Sequence, residues 1–277
     1  MSSKDVSPED KYDIAETQLK SFTRSKVRTK IMLCLKDADM SAAELEKEID
    51  VRNTTILHAI KDMSKSELVV RTDDGYGLTN LGKMQAYLLE DLINVALVMN
   101  EYQDFWLSHD ITGIPPYLLQ QIGMLGQSEI ITANPAALLK AQENFMKELR
   151  EAKEVRGVSP IIIPGYAEAI THPILNGLKV DLILTDDILK IVFEEYGSNM
   201  SKLLECNNFK LYRIDTGVSV AFTVTDSVFS LGLFRLDGGY DLGNDLICTG
   251  DDAVKWGQEL FEHYRERAEL IDIGTFI

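Results

Sequence analysis

Arg52, Asn53, Thr54, Thr55, His58 and Lys61 fall within one ten-residue stretch, and their types point to recognition and not to bond breaking. Short side chains that donate and accept hydrogen bonds, set beside a guanidinium and an ammonium, suit base edges and phosphate oxygens in a major groove. Ile56, Ile60 and Met63 recur at helical spacing, so the six polar residues lie on the first turn or the opposite face of one amphipathic helix. The bland alternative is a solvated face of a small α domain. Arg71 follows a short apolar run and adds a cation nearby.

Other constellations invite catalysis and do not carry it. His172 is followed by Pro173, and His263 by Tyr264-Arg265, so neither makes a His-x-Lys pair. No HExxH, GxSxG, P-loop or GxGxxG run is present. Four His and three widely separated cysteines, Cys34, Cys206 and Cys248, give no metal-ligand spacing and no disulfide framework. The expectation is a non-enzyme with no metal and no cofactor. A binding pocket is still open to the hydroxyl-rich run 223–234, because buried hydroxyls need partners. Ser159, Tyr166, Asp226, Ser227, Ser230 and Trp256 are the candidate lining for a small-molecule effector. The alternative is that they bond only their own backbone.

The elements that must position the polar six can be read on either side of them. Ser41 and Glu44 make a capping box, with Leu45 and Ile49 on one face of the helix they open. A break at Asp50-Val51 precedes the second helix, near Arg52. Leu68-Val69-Val70 reads as a strand. Asp73 to Gly77 reads as a tight turn in which Gly75 and Gly77 supply positive φ, and Leu78-Thr79 as the start of the return strand. Helix, turn, helix, hairpin is the order of a winged helix-turn-helix. Residues 22–36 supply its first helix, with Phe22, Val27, Ile31, Leu33 and Leu35 among basic residues.

Beyond the wing, Thr79-Asn80 caps a long helix with Leu81, Met84, Leu88, Leu92, Val95, Met99, Tyr102 and Trp106 in a near-heptad stripe. One rod of about 39 Å able to pair with its copy is expected, hence a homodimer. Gly113-Ile114-Pro115-Pro116 ends the pattern. A short helix over 117–125 and a strand at 129–132 come next. Asn134-Pro135 opens a helix to Lys153, and a strand-like run covers 155–163. Strands at 180–184, 209–214, 218–224 and 227–234 then alternate with helices at 165–178 and from the Asp186-Asp187 cap to Tyr196. A final helix from the Asp251-Asp252 cap runs to about Glu269. This alternation is an α/β layer with a mixed sheet. The expected division is an N-terminal segment 1–21, a winged helix 22–79, a linker or dimerisation helix 80–110 and a regulatory domain 111–277. The fold class is thus an α+β winged helix-turn-helix, a linker helix and an α/β mixed-sheet domain.

The 277 residues carry a net charge of −16, which argues against indiscriminate nucleic-acid binding. The acid is unevenly spread. Residues 24–71 hold ten Lys and Arg against eight Asp and Glu, while 72–277 hold fifteen against thirty-one. Contact with double-stranded DNA would be confined to the head and sensitive to salt. No apolar run reaches 18 residues and the first residues lack a signal-peptide core, so no membrane is expected and the cytoplasm is the simplest setting.

Several runs carry a resemblance: Ser25-Lys26-Val27-Arg28, Asp74 to Gly82 closing the wing, Trp106-Leu107-Ser108-His109-Asp110 with Gly113-Ile114-Pro115, and Gly157-Val158-Ser159-Pro160. The 223–234 run, Asp237-Gly238-Gly239-Tyr240-Asp241 and Trp256 to Phe261 complete the set. With these the chain resembles archaeal, mainly methanogen, transcription regulators that join an ArsR/MarR-like winged helix to a C-terminal methanogenesis regulatory domain. These are the methyl-substrate-specific and filament-formation types. The resemblance implies control of genes for methane-forming metabolism, with the C-terminal domain as sensor. It also implies a phospholipase-D-like order without the catalytic pair. Arg52 stands where many winged helices put a Ser or Thr cap. The acidic Asp73-Asp74 would repel a minor groove and leave wing contact to Arg71. The rival function is a winged-helix protein-interaction module that binds no DNA directly.

Overall fold

The computed structural model describes residues 7–132, 152–162, 165–215 and 217–271. The chain divides into two compact units, Met1–Ile93 and Asn94–Ile277, and the division falls inside a helix.

In the first unit, α1 (Pro8–Thr23) is capped by Ser7 and begins with Pro at its first turn. The expected helix over 22–36 is shorter: Thr23 closes α1, and α2 (Lys26–Leu35) restarts under a Ser25 cap. In α3 (Ala42–Ile49) both halves of the capping box form. Glu44 N–H donates to Ser41 Oγ at 3.3 Å, and Ser41 N–H donates to the Glu44 carboxylate at 2.8 Å. That backbone bond also holds the Glu44 carboxyl below its ordinary range. Asp50 ends the helix in the left-handed region, where Asp is among the few tolerated side chains. Then α4 (Asn53–Lys65) packs Ile56, Ala59, Ile60 and Met63 inward. These residues, with Ile31, Leu35, Leu45, Ile49 and Ala86, form one core. Fully burying each large side chain contributes about 1.5–3 kcal/mol.

The wing is an antiparallel pair, β1 (Val69–Thr72) and β2 (Gly75–Leu78), with Thr72 opposite Gly75 and Asp73-Asp74 between them. Tyr76 also exchanges both backbone bonds with Met40, at 3.0 Å each, which fixes the wing to the start of the helix-turn-helix. Gly75 takes φ 140°, as the turn requires, and a Cβ there would strike the Met40 carbonyl. Gly77 does not have positive φ. It lies in the strand, and what excludes a side chain is the Asp39 carboxylate over its Cα. Thr79 leaves the strand and caps the next helix through Gly82 N–H.

That helix, α5 (Asn80–Glu101), does not run to Trp106. It stops at Tyr102, and α6 (Gln103–Ser108) restarts the spiral. Tyr102 leaves helical φ/ψ (φ −109°, ψ 30°); it is buried, and its hydroxyl donates to the Ser128 carbonyl at 2.5 Å. The stripe divides accordingly. Leu81, Met84, Leu88, Leu92 and Met99 are exposed, Val95 and Trp106 are half-buried, and Tyr102 is inside.

The second unit is built on one mixed sheet of eight strands, in the order β10-β6-β5-β4-β7-β8-β9-β3. They are β3 (Ser128–Thr132), β4 (Glu154–Ser159), β5 (Lys179–Thr185), β6 (Phe209–Ile214), β7 (Val220–Thr225), β8 (Val228–Leu233), β9 (Asn244–Thr249) and β10 (Glu269–Leu270). β4, β5 and β6 are mutually parallel and every other pairing is antiparallel. β5 is buried from Val180 to Thr185, as a central parallel strand covered on both faces should be.

One face packs α8 (Tyr166–Leu175) and α9 (Asp186–Leu204) on Val155, Val180, Leu182 and Leu211. The other packs α10 (Asp251–Arg265) with α7 (Pro116–Leu119) and a 3-10 turn, Ile122–Leu125. The expected single helix over 117–125 is thus two short pieces. Thr185 and Gly250 occupy the cap positions of α9 and α10. The paired Asp residues instead sit in the first turn, where the helix dipole favours them. The helix from Asp186 extends to Leu204, beyond Tyr196. β9 and β10 were not expected, and the final helix ends at Arg265. The proposed helix from Asn134 lies outside the described residues apart from Ala152 and Lys153, which are not helical.

Candidate nucleic-acid interface

α4 presents Arg52, Thr54, Thr55, His58 and Lys61 to solvent, with Asn53 half-buried at its first turn. The inward residues Ile56, Ile60 and Met63 fix this rotation of the helix. Arg52 supplies no side-chain cap. The carboxylate of Glu46, on α3, accepts Asn53 N–H at 3.1 Å instead, so one helix caps the next. Sequence spacing did not reveal this partner, because Glu46 is seven residues away and belongs to another element.

His58 extends into solvent with Nδ1 3.5 Å from Asp62, which also approaches Lys65 at 3.5 Å. A groove of about 500 Å³ opens between the second half of α4 and the wing, lined by Leu57, Ile60, Lys61, Ser64, Lys65 and Tyr76. Arg71 is exposed, and its guanidinium lies 5.8 Å from the Tyr76 ring centroid. Lys61 thus lines this groove, and Arg71 lies beside Tyr76, which lines it too. Ser64, Lys65 and Tyr76 also line the groove and are not among the residues that the sequence singled out, because Tyr76 belongs to the wing and Ser64 and Lys65 lie beyond the polar run 52–61.

Of the six candidate lining residues of the second unit, the five whose side chains are described do not converge. Ser159 ends β4 and donates to the Ile161 carbonyl at 2.7 Å. Asp226 and Ser227 form the exposed β7–β8 turn, beside the opposite end of β4, where Val155 pairs with Thr225. Asp226 accepts Lys153 N–H at 2.9 Å, which lowers its carboxyl from the ordinary value. Ser230 donates to Asp245 at 3.4 Å. Trp256 is fully buried and donates Nε1–H to the Leu118 carbonyl at 3.0 Å, so it is a core residue. The Tyr166 side chain lies outside the described residues. Ser159, Asp226, Ser230 and Trp256 therefore make separate local bonds and share no pocket. Among the described residues no group of three or more His, Cys, Asp and Glu side chains could hold a metal ion.

Two family descriptions match the chain. Residues 16–97 match the N-terminal domain of the methanogenesis regulatory protein FilR1, and residues 138–267 match its middle domain. A relative described as the methanogenesis regulatory protein FilR1, from Methanothrix harundinacea (strain 6Ac), is 38% identical over 262 residues, which is 93% of this chain. The chain belongs to the FilR1 family of methanogenesis regulatory proteins. It spans 58% of the length of that relative. The two matched ranges fall in both units of this chain.

Solved structures overlap it more loosely. TrmBL2, described as an archaeal chromatin protein with a novel mode of DNA binding, is 14% identical over 94% of this chain and all of its own, with a TM-score of 0.43. The adhesin competence repressor AdcR of Streptococcus pyogenes is 20% identical over 36% of this chain and 81% of its own, with a TM-score of 0.27. The winged helix of this FilR1-family chain rests on its own element order and pairing.

Proposed function

We propose that the chain is a sequence-specific, DNA-binding transcriptional regulator of genes for methane-forming metabolism. The observation that carries the reading is the solvent face of α4, with Arg52, Thr54, Thr55, His58 and Lys61 on a winged helix of the FilR1 family. Asn53 and the two threonines are the base readers in this proposal. Lys61, in the groove, and Arg71, on the wing, hold phosphates. The functional division is 1–21, 22–79, 80–110 and 111–277, and such a regulator works in the cytoplasm. Among the described residues no helix is long and apolar enough to cross a membrane.

The regulator acts as a homodimer through α5. Five large apolar side chains of one helical face stand in water there, and a second copy of the same face would bury them. Residues 111–277 serve as the sensor, in a non-catalytic, phospholipase-D-like order that the mixed sheet between two helical layers supports. An effector or protein partner switches the regulator only by binding two of its states with different affinity.

The test is fluorescence anisotropy of the full chain on the DNA upstream of its own gene, with a random duplex as control and salt as the variable. Tighter binding to the upstream DNA with a steep salt slope supports the reading, and no preference and no slope at about 50 mM salt would sink it. Leu57, exposed on α4 within the groove, favours a protein partner in that case.

A further inference from the structure

The two sequence runs around His109 and Asp241 meet in the second unit, and the function above makes no use of them. His109 follows α6 and is 2% exposed; Asp241, in the loop between β8 and β9, is 3% exposed. His109 Nε2 lies 3.0 Å from Asp241 Oδ2, and Nδ1 lies 2.7 Å from the Phe105 carbonyl oxygen. Backbone bonds clip the same segments together. Asp110 N–H donates to Phe234 at 2.7 Å, and Leu236 N–H donates to Ser108 at 3.3 Å.

Donor counting decides the state of the ring. A carbonyl oxygen only accepts, so Nδ1 must carry hydrogen. Asp241 receives Arg235 Nη2 at 2.7 Å and Gly243 N–H at 2.9 Å on Oδ1, and Asn244 Nδ2 at 2.8 Å on Oδ2. Burial pushes its carboxyl up, but the donors from Arg235, Asn244, Gly243 and His109 outweigh burial and hold it well below the ordinary range. Asp241 is therefore a carboxylate, and Nε2 must donate to it. Ser108 Oγ agrees with this arrangement: it gives its hydrogen to the Asp104 carbonyl at 2.6 Å and turns a lone pair toward Nδ1 at 3.1 Å. Either neutral tautomer would set a nitrogen lone pair against an oxygen.

We propose that His109 is held as an imidazolium and that its second ring proton closes a latch between the end of α6 and the 234–243 loop. The charged groups around the latch are Asp241 and Arg235 from the loop and Asp245 from β9, with the Tyr240 hydroxyl beside Asp245 and the Asp104 carbonyl from α6. Arg235 binds the oxygen of Asp241 that His109 does not use, so the two cations share one carboxylate without meeting on one atom. Loss of that proton removes a donor from a buried carboxylate and opens the latch.

The chain has four histidines, so selective ¹⁵N-histidine labelling gives a spectrum that can be assigned by substitution. Long-range ¹H–¹⁵N spectra of the full chain would be recorded from about pH 6 to about pH 8, with amide exchange followed at Asp110 and Leu236. The expected result is one histidine with hydrogen on both ring nitrogens. Its second hydrogen should disappear over the same pH interval in which the two amides begin to exchange about tenfold faster. Asp241→Asn should abolish the doubly protonated signature and speed exchange throughout. A His109 ring with a single N–H while both amides stay protected would overturn the latch, and so would an Asp241→Asn protein with an unchanged ring. If the variant does not fold, the wild-type titration alone decides.

Discussion

At the scale of single residues, the first distinction is between reading and holding. Asn53→Ala should cost about 1–3 kcal/mol on the specific site if its amide reads a base, with little change on random DNA. Lys61→Ala should weaken both duplexes alike and lower the salt slope by about one. Anisotropy at several salt concentrations separates the two, and equal losses for Asn53→Ala on both duplexes would remove it from the readers. Asp245 makes a different prediction. Burial, and after it the nearby Asp241 charge, pushes its carboxyl up to about 6 against the Ser230 bond. An unfolded Asp titrates near 3.9, so between these values the folded state keeps a proton that the unfolded state has lost. This group therefore adds stability at low pH, and the contribution fades as pH rises toward 6. Asp245→Asn should raise the melting temperature at neutral pH and leave it nearly unchanged below about pH 4, as differential scanning calorimetry would show.

At the scale of elements, what the sequence made legible was local. The capping box of Ser41 and Glu44 could be read because both partners lie within one turn. Ser41→Ala should cost about 1 kcal/mol in chemical denaturation, and Leu45→Ala, in the core beneath, about 2–5 kcal/mol. What stayed illegible depended on distant partners. The Tyr102 hydroxyl meets Ser128, so a stripe whose spacing alone reads as one exposed rod has a buried position at Tyr102, where the helix is interrupted. Gly77 looked like a turn residue, yet the approach of Asp39 is what requires it. β9 begins with Asn244 and Asp245, polar residues unlike a strand, and only Leu246 and Cys248 go fully inside. The lining candidates failed for a different reason: hydroxyl richness marks a need for partners, and Ser159 and Ser230 meet theirs within the domain, at the Ile161 carbonyl and Asp245. For the helix that the stripe occupies, Leu88→Glu should convert the proposed dimer to a monomer in analytical ultracentrifugation while far-ultraviolet circular dichroism stays unchanged. A variant that remains dimeric would place the contact elsewhere.

At the scale of the whole molecule, charge is the organising quantity. The strongly acidic stretch is residues 72–277, while the head is close to neutral with a slight basic excess. For the proposed regulator, long-range attraction to DNA would therefore be weak, and affinity would have to come from close contacts on one small face. Random duplex should bind poorly even at low salt, and raising salt should reduce specific binding by the few phosphates that the head can reach. The family match extends over both units, with residues 16–97 matched in one description and 138–267 in the other.

The exposed stripe on α5 has a consequence for how such chains can change length. A helix advances about 100° per residue, so one residue added within 80–101 would turn the apolar positions beyond it out of line with those before it. Two offset half-stripes cannot meet one straight partner. Insertions of three, four or seven residues return close to the original face, whereas one or two do not. Among relatives that keep this helix, length differences should therefore come in those steps between Asn80 and Glu101, and single-residue gains and losses should collect in loops.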